Sequence, residues 1–181
     1  MKINVIVKSS ENDSFKKTED SNSKNLIIPA FELTSNNPIV QNDVIRILRA
    51  NELSPTNTAL ELFNLFYAVY GADQLISRSS FGYFSWSRHI IIHFAVHDIK
   101  KWEEKRQDFI RMFSFLSGDR WDIKFRQKDT LDLKDVKNPK SKDIDAVSLF
   151  SGGLDSLTGV IDILESKKKL AIVGHHKGGG T

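Results

Sequence analysis

The chain contains no cysteine. This absence excludes disulfide bonds and thiolate metal sites from the sequence, and it suits a protein kept in a reducing compartment. Long apolar runs are missing as well. The apolar stretch at residues 1–8 is too short for the core of a signal peptide, and no later window could span a bilayer. We therefore expect a soluble cytoplasmic protein that does not contact the membrane.

A strong excess of one charge sign is also absent. Lys and Arg number 26 against 23 Asp and Glu, and the net charge of +3 is scattered along the chain. The sequence therefore does not indicate nucleic-acid binding. Hydrophobic residues make up 40% of the chain, with 12 Phe and 3 Trp, which is enough for a packed core. Disordered and fibrous classes are excluded, and 181 residues can hold one compact domain and part of a second.

Residues 1–130 show alternating strand and helix periodicities. Ile3, Val5 and Val7 alternate with polar residues and predict a strand, and the polar residues 9–24 predict a mobile, solvated loop. Ser54 and Pro55 are typical of an N-cap and first helical residue, so a helix is expected over residues 55–76. Its wide apolar stripe, which we expect to be core, consists of Leu60, Leu62, Phe63, Leu65, Phe66, Tyr67, Val69 and Tyr70.

Three histidines lie in or directly after the next predicted strand, residues 88–96. Ile90, Ile92, Phe94 and Val96 form its apolar face, and the opposite face carries His89, His93 and His97. On a helix this spacing would suggest a metal site. On a strand the outer two lie about 26 Å apart, at about 3.3 Å per residue, so no single ion could bind both. We interpret these histidines as a polar strand face.

The rest of this region predicts one more helix and one more strand. Asp98 can cap the helix, Gly118 and Asp119 end it, and the strand covers residues 121–127. The buried helix stripe is expected to be Trp102, Phe109, Met112, Phe113 and Leu116. The order of elements predicts an α+β N-terminal domain, residues 1–130, with an antiparallel or mixed sheet. Residues 131–144, rich in Lys and Asp, predict a linker.

A glycine-rich turn follows the linker. Residues 145–150 predict a buried strand, residues 156–165 a helix and residues 170–174 a second buried strand, which together make one βαβ unit. The turn reads Ser-Gly-Gly-Leu-Asp-Ser at residues 151–156. Its backbone N–H groups and the helix behind it favour a phosphate or pyrophosphate ligand. It lacks the Gly-Lys-Ser/Thr ending of a Walker A loop and the third glycine of a dinucleotide fingerprint.

The residue types of the turn indicate a particular chemistry. An acidic side chain would repel a phosphate unless it helps to hold Mg²⁺, so Asp155 predicts a magnesium-pyrophosphate site. Ser151 and Ser156 can donate hydroxyl hydrogen bonds, and Gly152 and Gly153 allow close backbone approach. We therefore predict attack on the α-phosphate of ATP with pyrophosphate as the leaving group. The alternative is a tight connection that binds no ligand.

The hexapeptide resembles the Ser-Gly-Gly-x-Asp-Ser signature of the PP-loop ATP pyrophosphatases, which adenylate an acid or carbonyl group and release pyrophosphate. The resemblance implies that residues 145–181 begin a Rossmann-like α/β PP-loop domain of the adenine nucleotide alpha hydrolase type. It implies ATP and Mg²⁺ as cofactors, with Ser151 and Asp155 as catalytic residues and Asp155 on the metal. The implied nucleotide-binding residues are Ser151, Gly152, Gly153, Leu154, Asp155 and Ser156.

Softer similarities concern the long region before the turn. Segments 68–73, 86–88, 116–121 and 174–176 are similar to the QueC-like proteins of bacterial Qat anti-phage systems. That similarity implies a relative of 7-cyano-7-deazaguanine synthase, an ATP-dependent synthase that activates a deazapurine carboxylate as an acyl-adenylate for attack by an amine. It further implies that other proteins of the defence system are partners.

Two features at the end of the chain leave alternatives open. His175 and His176 follow the second strand, where they would contact the nucleotide or the substrate acid, or be solvated loop residues. A doubly wound fold needs about five or more parallel strands, whereas the chain supplies two here, so we expect a truncated product, a split gene or a fragment. A non-catalytic nucleotide-binding module that docks partners, and an inactive fragment, are the competing readings.

Overall fold

The computed structural model describes residues 1–30, 44–128 and 143–174. The chain divides into two compact units, Met1–Asn138 and Pro139–Thr181. The boundary falls inside the segment predicted as a linker, most of which lies outside the described residues. The helices of the described residues include none with both the length and the apolar character needed to cross a membrane.

The first unit is built on a four-stranded sheet. Its strands are β1 (Lys2–Lys8), β2 (Ser23–Pro29), β3 (His89–Val96) and β4 (Arg120–Gln127), in the order β2-β1-β3-β4. All neighbours pair in parallel, so the expectation of an antiparallel or mixed sheet in an α+β domain is wrong and the arrangement is α/β. Strand β2 was not predicted at all, because its polar first residues extend the composition of the preceding loop.

Among the described residues, four helices accompany this sheet: α1 (Val44–Ala50), α2 (Asn57–Leu75), α3 (Arg78–Phe81) and α4 (Ile99–Ser117). The predicted cap of α4 is confirmed, since the Asp98 side chain accepts a hydrogen bond from the Lys101 N–H at 3.1 Å. Its predicted end is confirmed as well, because Gly118 adopts a left-handed φ of 73°. Helix α2 instead begins two residues later than Ser54 and Pro55 predicted, because the Thr56 hydroxyl accepts from the Ala59 N–H at 3.3 Å.

The hydrophobic core lies between α2, α4 and one face of the sheet. The expected apolar face of β3 is confirmed, and Ile123 and Trp121 of β4 continue it. Helix α2 turns small side chains toward the core, since Ala68 and Ala72 are fully buried beside Leu65. The prediction that its whole aromatic stripe is core is therefore partly wrong. Several members of the two predicted helix stripes lie at the surface: Leu62, Phe63, Phe66, Tyr70 and Leu116.

The loop between β1 and β2 crosses the opposite face of this sheet. We call residues 9–22 the strap. The Asp13 carboxylate accepts from the Ser9 N–H at 2.9 Å and the Phe15 N–H at 3.1 Å, and it pairs with Arg126 of β4. The Phe15 ring lies 5.4 Å from the His93 ring. The strap is thus anchored through Asp13 and Phe15, while residues 16–22 are exposed, as a solvated loop was predicted to be. His93, expected on a polar strand face, is 5% exposed.

The second unit is the predicted βαβ unit. It consists of β5 (Ala146–Phe150), α5 (Leu154–Glu165) and β6 (Leu170–Gly174). The two strands pair in parallel from Ala146 opposite Leu170 to Phe150 opposite Gly174, as the sequence predicted. Val160 is the one apolar side chain among the described residues of this unit that is fully buried. The prediction that both strands are buried is therefore wrong for the described residues, because residues of β5 and β6 such as Leu149 and Ile172 are exposed.

Candidate nucleotide-binding turn

The glycine-rich turn lies at the carboxyl edge of the β5–β6 pair. Phe150, the last residue of β5, is in register with Gly174, the last residue of β6. Both parallel strands therefore end at the same edge, and the chain passes from β5 through residues 151–153 directly into α5. The carboxyl edge of a parallel sheet is where open α/β folds bind their ligands. The hexapeptide thus occupies the position that its sequence predicted.

The two glycines of the turn have different backbone roles. Gly152 has a φ of +85°, a left-handed conformation that a residue with a side chain adopts only at a cost. Gly153 is the N-cap of α5, with extended angles of −86° and 163°. A Cβ atom on Gly153 would have its nearest neighbour at 3.6 Å, in the Ser151 hydroxyl, which is an ordinary contact. The backbone therefore requires glycine at 152, whereas at 153 it only permits it.

The first turn of α5 presents unused hydrogen-bond donors. No side chain of the described residues caps this helix. The first intrahelical bond runs from the Leu157 N–H to the Gly153 carbonyl at 3.1 Å, so the N–H groups of residues 154–156 precede the helical ladder. Together with the partial positive charge of the helix end, these donors suit an anion of phosphate type.

The hydroxyl groups of the turn lie next to each other. The Ser151 hydroxyl donates to the Ser156 hydroxyl at 3.3 Å, and the Ser156 hydroxyl donates to the Gly153 carbonyl at 2.8 Å. Leu154 and Asp155 are exposed in the first turn of the helix. The two serines therefore close the turn on itself, while the Asp155 carboxylate stays open to solvent and to a ligand.

The donor set fits magnesium better than a metal held by protein side chains alone. The described residues hold no group of three or more His, Cys, Asp or Glu side chains that could surround an ion. Mg²⁺ needs one or two carboxylates and takes its other ligands from phosphate oxygens and water. Asp155 could therefore hold Mg²⁺ beside a bound pyrophosphate group. His175 and His176, the other predicted ligand contacts, lie outside the described residues.

Three of the softer sequence similarities meet in one ion cluster of the first unit. Asp73, Arg88 and Asp119 come from segments 68–73, 86–88 and 116–121, and Arg88 pairs with both carboxylates. Arg88 is 1% exposed and Asp119 is 3% exposed. Arg78, which the sequence did not single out, joins through its Nη1 atom, 2.9 Å from Asp119 Oδ1. We call Asp73, Arg78, Arg88 and Asp119 the ion cluster.

The ion cluster ties the ends of several elements together. Arg88 donates to the Ile76 carbonyl, at the end of α2, at 2.6 Å. Arg78 donates to the Ser117 carbonyl, at the end of α4, at 3.1 Å. Burial alone would raise the pKa of Asp119, but hydrogen bonds from Arg88 and the charges of Arg88 and Arg78 outweigh it and hold that pKa below its usual value. The cluster therefore supports the fold of the first unit.

A buried glutamate in the first unit was also missed. Glu61 lies inside the apolar stripe of α2 and is 4% exposed. Its carboxylate accepts from the His97 N–H at 2.7 Å and the Trp102 indole N–H at 2.7 Å, and it contacts His97 Nδ1 at 2.6 Å. A charged residue within an apolar helical stripe was the available sequence signal. The contacts explain how its charge is tolerated, and they join α2 to the start of α4.

These features define an α/β protein with a parallel sheet in each unit and a glycine-rich turn at a sheet edge. We compared the chain with protein-family models, with curated proteins and with solved structures, and none of them matched. The hexapeptide and its conformation therefore carry the functional argument by themselves.

Proposed function

We propose that residues 151–156 bind the pyrophosphate moiety of ATP and that the intact site adenylates a carboxylate. The observation that carries this proposal is the left-handed Gly152 leading from a parallel strand into a helix without a side-chain cap. A phosphate group supplies the acceptors that the first N–H groups of α5 lack. The hexapeptide's resemblance to the PP-loop signature selects ATP among phosphate ligands.

Each side chain of the turn has a part in this proposal. The backbone N–H groups of α5 and the hydroxyls of Ser151 and Ser156 donate hydrogen bonds to phosphate oxygens. Asp155 holds Mg²⁺, which neutralises pyrophosphate charge when it is bound. Leu154 contributes its backbone N–H, since its side chain points into solvent and is 81% exposed. A contact of His175 and His176 with the nucleotide or the acid stays a prediction from the sequence, because both lie outside the described residues.

The proposed reaction transfers an adenylyl group. A carboxylate oxygen of the substrate attacks the α-phosphorus of ATP, and the bond from that phosphorus to the bridging oxygen breaks. Pyrophosphate leaves with the electron pair of that bond, and the product is an acyl-adenylate. An amine then attacks the acyl carbon, AMP leaves, and an amide forms after loss of a proton. The turn's donors act on the first step, because they stabilise the charge that builds up on the departing pyrophosphate.

The substrate class and setting come from the softer resemblance. Similarity to QueC-like proteins of Qat systems supports a deazapurine-like carboxylic acid as the substrate, other proteins of an anti-phage defence system as partners and the cytoplasm as location. The ion cluster adds a physical reason for three of those similar segments, since their charged residues meet in one buried network.

A non-catalytic nucleotide-binding module is the second candidate. One observation favours it: α5 begins without a side-chain cap, so the N–H groups of its first turn can bind a phosphate with no further residue. Binding of a phosphate group needs only the turn and the helix end, whereas catalysis needs further groups on the substrate acid. An inactive fragment is the third reading, and it predicts neither nucleotide binding nor chemistry.

Isotope exchange between pyrophosphate and ATP tests the proposal. We expect exchange that depends on Mg²⁺ and on an added deazapurine carboxylic acid, and we expect Asp155→Asn to reduce it at least about tenfold. Asp162→Asn is the matched control, because Asp162 is an exposed carboxylate near the other end of the same helix. This control should leave the exchange rate unchanged.

Direct ATP binding, measured by calorimetry, separates the three readings. Binding together with acid-dependent exchange supports adenylation. Binding that Asp155→Asn weakens, with no exchange for any deazapurine acid, supports the binding module instead. Absence of both contradicts the proposed function and leaves the inactive fragment.

A further inference from the structure

The register of the strands in the first unit places basic side chains that are distant in sequence on one face of the sheet. We call the sheet face opposite α2 and α4 the outer face. Lys2, His89 and Arg120 stand in one row across β1, β3 and β4. Because side chains alternate along strands, the residues two positions on share this face. Its strand cations are Lys2, Lys8, Arg120, Lys124 and Arg126, and its one strand carboxylate is Asp122.

The strap crosses the outer face from the end of β1 to the start of β2, where the Lys2 N–H donates to the Asn22 carbonyl at 2.7 Å. Lys8 Nζ donates to the Asp13 carbonyl at 2.7 Å, and Arg126 pairs with the Asp13 carboxylate. Arg120 and Lys124 of β4 remain exposed, and neither pairs with a carboxylate of the described residues. Lys2 is exposed as well, but it acts on Asp20 of the strap, whose pKa is lowered by hydrogen bonds from Asn22 and Ser23 and by the charges of Lys17 and Lys2. The Asp122 carboxylate lies 4.0 Å from Arg106 Nη1, which offsets its charge. The β4 side of the outer face is therefore exposed and cationic.

A loop closed by a backbone hydrogen bond carries exposed aromatic rings next to Lys2 and Arg120. We call residues 82–87 the aromatic loop, in which Tyr83 is 76% exposed and Phe84 is 84% exposed. The loop is closed by a bond from the Tyr83 N–H to the Ser87 carbonyl at 2.7 Å. Arg78 donates to the Trp86 carbonyl at 2.7 Å, which fastens the loop to the ion cluster. The fold thus holds these rings in solvent at a defined position.

The row and the aromatic loop form the walls of one groove. This groove has a volume of about 860 Å³ and is lined by Lys2, His89 and Arg120 on one side and by Phe81, Tyr83 and Phe84 on the other. Burial, reinforced by the charges of Arg120 and Lys2, lowers the pKa of His89, so its ring is neutral near pH 7. The groove therefore offers two strong cations together with flat, uncharged rings.

We propose that this groove and the adjoining outer face bind single-stranded nucleic acid. Lys2, Arg120 and Lys124 would bind phosphates, and Tyr83 and Phe84 would stack on a base. Exposed aromatic rings beside a cationic track are the recognition mode of single strands, whose bases are free to stack. An acidic peptide would satisfy the cations but would leave the rings without a partner.

The extent of the cationic track favours a strand over a single nucleotide. Lys124 lies outside the groove, four residues along β4 from Arg120, or about 13 Å at about 3.3 Å per residue. A mononucleotide in the groove would leave Lys124 unused, whereas a strand running along β4 reaches both cations. This inference concerns the first unit alone and is independent of the proposed adenylation.

Fluorescence anisotropy with a labelled oligothymidylate of about 20 nucleotides, longer than the usual site sizes of such grooves, tests the proposal on the full chain. We expect binding at low salt and a dissociation constant raised about fivefold or more by Phe84→Ala. We expect Arg120→Ala to weaken binding and to lower the slope of log affinity against log salt by about 0.7. A labelled oligouridylate, which carries the same stacking faces, should give the same variant pattern.

The chain offers matched controls for both substitutions. Phe115 is 88% exposed on α4, and the Arg111 side chain on the same helix is 76% exposed. Phe115→Ala and Arg111→Ala should leave the affinity within about twofold of the unchanged protein, since exposed substitutions away from an interface contribute little. Thermal unfolding followed by circular dichroism checks each fold, and Tyr83→Ala replaces Phe84→Ala if the latter unfolds.

Four results would overturn the proposal. The first is absence of binding at low salt, and the second is equal weakening by the control and groove variants, which would indicate a net-charge effect. The third is displacement of the oligonucleotide by polyglutamate as effectively as by unlabelled oligonucleotide, which would indicate an acidic protein partner. The fourth is displacement by uridine monophosphate at the same concentration as the oligonucleotide, which would indicate a site for one nucleotide.

Discussion

His93 is a histidine kept uncharged inside a sheet. It lies on β3 at 5% exposure, its Nε2 atom is 3.1 Å from Asn4 Oδ1, and the Phe15 ring covers it. Burial is the main cause that lowers its pKa to about 4, followed by the charges of Lys124, Lys17 and Arg126, with Asp122 acting in the opposite direction. A proton on this ring would therefore meet both desolvation and positive charge.

The protonation of His93 predicts a loss of stability in weak acid. The unfolded chain takes up this proton near pH 6.5, whereas the folded chain takes it up only near pH 4. The unfolded state therefore binds more protons between these values, and the free energy of unfolding falls as the pH drops through them. We expect His93 to account for up to about 3 kcal/mol of that fall, measured by urea unfolding across the range.

The variant His93→Gln keeps a hydrogen-bonding side chain but cannot take up a proton. Its free energy of unfolding should change much less between pH 6.5 and pH 4, with a residual slope from His89, whose pKa is also lowered. An unchanged slope in this variant would contradict the assignment. Asp13, whose pKa is lowered to about 2, affects stability in a different pH range. Its contribution to the free energy of unfolding is lost only as the pH falls from about 3.8 toward 2.

At the scale of elements, the ion cluster joins segments that are distant in the chain. Asp119 accepts hydrogen bonds from both the backbone and the side chain of Arg88, 31 residues away in sequence, and from Arg78. These bonds fix the ends of α2 and α4 against the start of β3. Arg78 donates to the Trp86 carbonyl of the aromatic loop, and Arg88 directly follows that loop in the chain. Because both arginines pair with Asp119, the position of the loop depends on the Asp119 carboxylate.

We expect Asp119→Ala to lower the free energy of unfolding by about 3–5 kcal/mol, because it removes the buried one of the two carboxylates that pair with the Arg88 guanidinium. Urea unfolding at pH 7 measures the change. The matched control is Asp108→Ala, since Asp108 is 61% exposed and pairs only with surface residues of its own helix. That change should cost less than about 1 kcal/mol. Equal effects of the two substitutions would show that the cluster is not a structural centre.

Sequence patterns predicted those elements that depend on residues close together in the chain. The alternation in β3, the Asp98 cap and the βαβ unit around residues 151–156 depend on neighbours a few positions away, and all were found. In the first unit, strand direction and register depend on partners distant in the chain. The parallel pairing of its sheet and the row of Lys2, His89 and Arg120 were therefore not predicted. The buried side of α2 was misassigned because the packing of Ala68 and Ala72 against the sheet outweighed the aromatic stripe.

The two candidate sites also differ in how far the sequence predicts them. The conformation of the turn follows from two glycines between a strand and a helix, so the sequence was sufficient for it. The groove beside the aromatic loop combines residues near positions 2, 84 and 120, which only the folded sheet brings together. Net charge and charge runs carry no information on such a surface, because register alone decides which side chains share a face.

At the scale of the whole molecule, the two units differ in how much apolar surface they bury. The first unit has a continuous core between its sheet and helices, whereas the second has Val160 as its one fully buried apolar side chain among the described residues. In the second unit, Val147 is 66% exposed and Leu149 is 78% exposed. A pair of strands with one helix is marginal in water.

We therefore expect the two units to behave differently as separate polypeptides. A fragment of residues 1–138 should fold, with a cooperative thermal transition and dispersed amide resonances like those of the full chain. A fragment of residues 139–181 should be largely unfolded, with a disordered circular dichroism spectrum. A cooperative transition in the second fragment, or none in the first, would contradict this division of stability.

The sheet order β2-β1-β3-β4 has a consequence for synthesis on the ribosome. The first strand to emerge is an inner one, and its second neighbour, β3, begins only at His89. The nascent chain must therefore keep one edge of β1 open until most of the first unit has been translated. Closing so long a loop costs entropy and makes pairing late and slow. During that interval β1 has β2 as its nearest partner strand in the chain, and the strap connects the two.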